Sequence, residues 1–157
     1  MSIKDQLSAE QWKLLLNAPG AASAFVSSAS GGAMDMAQEM AATSKFLQTS
    51  VGGYGALVDE LLNAMQTMTL QEKKTNSYAY QAKDMTGMRS EAKQVVADAA
   101  AAIAALPEGD GWKRWLVELT RQVALTKTGG ILGFGGKSVI DEQEQKALDE
   151  LAAMLGV

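Results

Sequence analysis

Histidine and cysteine are both absent from the 157 residues. Histidine is the side chain that titrates near neutrality and the commonest transition-metal ligand. Cysteine supplies the soft thiolate and an intrinsically strong nucleophile. Their absence removes Ser-His and Cys-His dyads, structural zinc sites, iron–sulfur clusters and two-histidine iron sites. Lys, Glu, Asp, Tyr and Ser remain as catalytic groups, and oxygen donors remain for hard cations. Long hydrophobic runs are missing as well: no stretch approaches the ~20 apolar residues of a membrane span. The start, Met1-Ser2-Ile3-Lys4-Asp5-Gln6, lacks the apolar core of a signal peptide. Nor is there a basic excess. With 14 Lys and Arg against 18 Asp and Glu, the net charge is −4. Nucleic-acid binding rests on a basic surface that displaces counterions, and an anionic membrane selects the same sign. The expectation is a cytoplasmic protein with no nucleic-acid partner and no membrane insertion.

What is present describes a folded domain. Hydrophobic residues make up 47% and charged residues 20% of the chain, ordinary proportions for a globular protein. A chain of ~150 residues hides roughly two-thirds of its unfolded surface, so residues 1–157 are expected to form a single domain.

Two prolines, abundant alanine and clustered glycines punctuate the chain into helices. Ser8, followed by Glu10 and Gln11, opens a stripe of Trp12, Leu15 and Leu16. Pro19 suits the first turn of a second helix that carries Phe25, Val26 and Ala29 and stops at Gly31-Gly32. Asp35 reads as the next N-cap, with Met36, Met40 and Leu47 on one face and the Thr43 hydroxyl interrupting it. After Gly52, Gly53 and Gly55, apolar residues recur at Leu57/Val58, Leu61/Leu62, Met65 and Met68. Thr69 and Glu72 make a capping-box pattern. An apolar phase then runs through Tyr78, Ala82, Met85, Met88, Val95/Val96, Ala99, Ile103 and Leu106. One helix over 70–106 would be ~55 Å long, more than such a domain spans, so a bend or break is expected near Gly87. Pro107-Glu108-Gly109 is a turn, and Asp110 reads as the cap of a helix bearing Trp112, Trp115/Leu116, Leu119 and Val123. Asp141 and Glu144 form another capping pair ahead of Leu148, Leu151 and Leu155, with Gly156 as C-cap. The spacing predicts an all-α fold, one compact domain of about seven helices.

The glycine-rich stretch 129–138 ends in Gly136-Lys137-Ser138, like a phosphate-binding loop. That motif needs a glycine five positions before its last one, where this chain has Ile131. The stretch also follows an amphipathic helix rather than a strand, so no nucleotide phosphate is expected there. Tyr78 and Tyr80, two positions apart, fall on different faces if helical, one packed and one exposed. Trp112 and Trp115 beside Leu116 and Leu119 read as core, and the nine methionines as fillers of a helical interior.

A repeat joins the two halves. Gly31-Gly32 precedes Asp35-Met36-Ala37-Gln38-Glu39, and Gly135-Gly136 precedes Asp141-Glu142-Gln143-Glu144. These stretches, above all 136–151, resemble the tellurite-resistance (TerB-like) helical family. The resemblance covers less than half the chain. It implies a stress-associated, non-catalytic helical domain whose acidic loops hold a hard cation, calcium or magnesium, with Asp35, Glu39, Asp141 and Glu144 as the matching carboxylates. Ser30-Gly31 and Gly135-Gly136 stand where the family carries an aspartate beside glycine. Capping of free helix N–H groups is therefore the first role expected of these four. The functional expectation is a non-catalytic protein acting through contacts with a protein partner or a second copy of itself. Two other classes stay open: a structural or assembly subunit, for example of a phage, and an enzyme using a carboxylate-lined pocket.

Overall fold

The computed structural model describes residues 1–29, 33–49, 52–129 and 140–157, with the backbone alone at 33–40 and 126–129. Within these residues the chain is all-α. A short 3-10 turn, Lys4–Gln6, leads into α1 (Ala9–Ser27), α2 (Ala33–Thr49), α3 (Ala56–Thr67), α4 (Leu70–Asn76), α5 (Met85–Ala102), α6 (Gly109–Gly129) and α7 (Glu142–Leu155). Seven α-helices match the number that the apolar spacing implies.

α1 lies at the centre, packed against α2, α5, α6 and α7. Its sequence explains the position, since Leu15, Ala18, Ala22 and Val26 form a buried stripe at spacings of three and four. The small residues Ala18, Ala21 and Ala22 let neighbouring helices approach. α5 answers with Ala92, Val95, Val96 and Ala99, all buried, and the α1–α5 contact is the most extensive in the fold. Trp112, Trp115, Leu116 and Leu119 of α6 and Leu148, Leu151 and Leu155 of α7 complete one core. Both tryptophans are core residues, and so are Val96, Ala99 and Ile103, as their spacing implied.

Helix ends follow capping chemistry in several places. Ser8 and Gln11 form a reciprocal capping box at α1, and Thr69 and Glu72 another at α4. Gly156 takes the left-handed conformation, φ 72°, that closes α7. Thr43, which breaks the apolar face of α2, is buried and hydrogen-bonds the Ser23 hydroxyl of α1 at 2.9 Å. A buried hydroxyl is tolerated when it is paired, so the interruption is an inter-helix link.

Several boundaries differ from the sequence reading. Pro19 does not start a helix; it lies inside the continuous α1. Proline there loses its own backbone hydrogen bond and crowds the carbonyl four residues back, and the buried stripe on both sides holds the helix together. Asp35 lies inside the first turn of α2 and Asp110 inside that of α6, rather than ahead of them. The break expected near Gly87 is present and falls at 77–84, just ahead of it. Asp84 is the N-cap of α5, and its Oδ1 accepts from the Gly87 N–H at 2.7 Å. A side chain at 87 would also meet Ala82, since a Cβ would lie 2.7 Å from the Ala82 Cβ. Gly129 ends α6, and residues 130–138 of the glycine-rich stretch lie outside the described residues.

Candidate functional site

Between α3 and α5 the chain leaves the core. From residue 63 to residue 91 no side chain is fully buried, and α4 buries none of its seven residues. This segment lies over α1 as a strap, held by partly buried Tyr78 and Tyr80 and by a few polar side chains. Asn17 of α1 is the principal clamp. Its Nδ2 donates to the Lys13 carbonyl at 2.8 Å and to the Asn76 carbonyl at 2.5 Å. Its Oδ1 accepts from the Tyr78 N–H at 2.9 Å. Farther along, the Glu91 carboxylate accepts from the N–H groups of Gln81 and Ala82 at 2.9–3.0 Å. At the near end the Gln66 amide donates to the carbonyls of Leu47 and Gln48, closing the end of α2.

The strap crosses α1 without filling the space beside it. One cleft of about 260 Å³ has an apolar floor of Leu16, Leu47, Met65 and Met68. Its polar wall includes Asn17, Ser44, Gln48 and Lys73. A second hollow of about 610 Å³ extends toward Lys4, Trp12 and Thr67. The two share Leu16, Met68 and Asn76 and so adjoin, making a groove bordered by α1, α2, α3 and α4. Among the described residues, Lys73 is the sole charged one lining the smaller cleft. The larger hollow has both signs, with Lys4, Asp5 and Glu72. Glu72 is committed to the Thr69 cap, whose backbone N–H holds its carboxyl below the usual carboxylate range. Leu70, the first residue of α4, is 80% exposed.

Comparison with family models, with curated proteins and with solved structures finds no match.

Tyr78 and Tyr80 differ from expectation. The segment that carries them is not helical, and both rings are half-buried and meet edge to face, with centroids 4.9 Å apart at 79°. Burial pushes the Tyr80 hydroxyl up to about 12, with smaller contributions from Tyr78 and Glu91, and burial also raises Tyr78.

Of the four carboxylates from the sequence, the described side chains include two, Asp141 and Glu144. Asp141 is the N-cap of α7, its Oδ1 accepting from the Glu144 N–H at 2.8 Å. Glu144 is fully buried beneath it. Asp35 and Glu39 belong to α2, and their side chains lie outside the described residues. Among the described residues no group of three or more carboxylates is placed to hold a metal ion. Asn17 and Glu91, which position the strap, were not singled out by the sequence. Asn17 did leave one signal: asparagine is unfavourable in a helix interior, and its presence there points to a tertiary hydrogen bond.

Proposed function

We propose that this chain is a non-catalytic, cytoplasmic contact protein that docks a segment of a partner polypeptide in the groove bordered by α1, α2, α3 and α4. The observation that carries this reading is the groove's lining. Methionine and leucine form an adaptable apolar floor, and amide and hydroxyl groups along the wall suit the donors and acceptors of a peptide backbone. A few polar groups converging beside an apolar surface are a common feature of ligand sites. The roof is the part of the described chain with least burial, so it can adjust around an occupant at little cost to the core. The absence of cysteine fits a reducing compartment, which supports the cytoplasmic part of the reading. The TerB-like resemblance contributes a stress-associated setting.

Selection of peptides from a random library against the wild-type protein tests the reading. Ser44 is exposed at the wall of the cleft, so Ser44→Trp fills the cleft without disturbing the core. Enriched peptides should bind wild type saturably and lose binding to Ser44→Trp. Peptides that bind both equally, or no enrichment at all, would overturn it.

A further inference from the structure

The smaller cleft differs from the rest of the groove in charge. Its floor is Leu16, Leu47, Met65 and Met68, and its single charged lining residue is Lys73. Lys73 forms no ion pair among the described residues, as is true of most of the described cations, so its charge in the cleft is left uncompensated. The Ser44 hydroxyl and Gln48 amide on the same wall also have no hydrogen-bond partner among the described residues. An apolar floor beneath one unpaired cation and two neutral polar groups suits an occupant with an apolar group and an anion close together.

The volume narrows the occupant further. At about 260 Å³ the cleft falls just below the ~300–1,000 Å³ of pockets for drug-sized ligands, room for about one residue. An internal Asp or Glu would use its side chain as the anion and leave the floor empty. A C-terminal residue carries both features on one Cα, an apolar side chain and a free carboxylate. We infer that the cleft captures the C-terminal residue of the partner segment, an apolar residue whose carboxylate meets Lys73. Its side chain lies on Met65 and Met68, and the preceding residues run into the larger hollow past Leu16 and Asn76. Capture of a terminal carboxylate is a recurring mode of peptide recognition. This inference rests on the docking reading above and names the partner's chemistry.

Methionine methyl NMR with N-acetyl-L-leucine and N-acetyl-L-leucinamide as probes tests it on the full chain. Met65→Leu and Met68→Leu assign the two reporter signals. The acid should shift both methyls saturably and bind about threefold or more tighter than the amide, the size of an exposed ion pair. Lys73→Gln should erase that preference while leaving amide binding and the melting temperature unchanged, and added salt should reduce it in wild type. Ser44→Trp should abolish both shifts. Equal binding of acid and amide, or a preference that survives Lys73→Gln, would overturn carboxylate capture and leave the docking reading standing. If neither probe moves these methyls, both fail at this cleft.

Discussion

Individual positions show which forces act locally. Gly111 is the tightest: a Cβ there would lie 2.0 Å from the Tyr54 carbonyl oxygen, where the start of α6 meets the turn into α3. Backbone cannot retreat as a flexible side chain can, so Gly111→Ala should cost several times the few tenths of a kcal/mol of a neutral surface change, measured by urea unfolding. Ile103 is fully buried, and Ile103→Ala should lower stability by ~2–4 kcal/mol through lost burial and the cavity left behind. For Asp141 the cap bond to the Glu144 N–H sets the expectation. Asp141→Ala should cost ~1 kcal/mol and Asp141→Asn less, because asparagine keeps an acceptor oxygen. Calcium should not change the wild-type melting temperature. A calcium-dependent rise lost in both variants would instead make Asp141 a ligand.

At the scale of elements, the strap and the helices beneath it should differ in local stability. Amides of Tyr78, Gln81 and Ala82 are tied by Asn17 and Glu91 alone, while α1, α5 and α6 are anchored by buried side chains. Hydrogen exchange should therefore release the 77–84 amides well before those of the core helices. Asn17→Ala should speed exchange at Tyr78, with ~1 kcal/mol lost globally. Protection of 77–84 equal to that of α1 would contradict a detachable strap. Its tyrosines add a pH dependence. Tyr80 is held neutral in the fold up to about 12, whereas an unfolded tyrosine ionises near 10. The unfolded chain thus loses its proton first, and stability present below pH ~10 falls as pH rises toward about 12. Tyr80→Phe should flatten that alkaline decline.

Across the whole molecule, the parts legible in sequence were those governed by periodicity and caps. The helix count, the Trp112 and Trp115 core, the Thr69–Glu72 box and the Gly156 cap all follow from local pattern. Helix joints in the middle of a strong pattern were not legible. The apolar phase from Tyr78 onward reads as helix, yet the side chains of Asn17, distant in sequence, and of Glu91, about ten residues on, accept the N–H groups of residues 78, 81 and 82. Pro19 misled in the opposite sense, because core packing on both sides carries α1 through it. The groove was invisible for the same reason as the joint: it exists where a chain segment crosses α1 without packing down, and no residue type announces that. The claim that this groove is the contact site is tested most directly by mapping amide shifts on titrating a peptide selected against wild type. Shifts should gather at residues 16–17, 44–48, 65–68 and 73–77. Shifts confined to α5 and α7, with the groove unmoved, would contradict it.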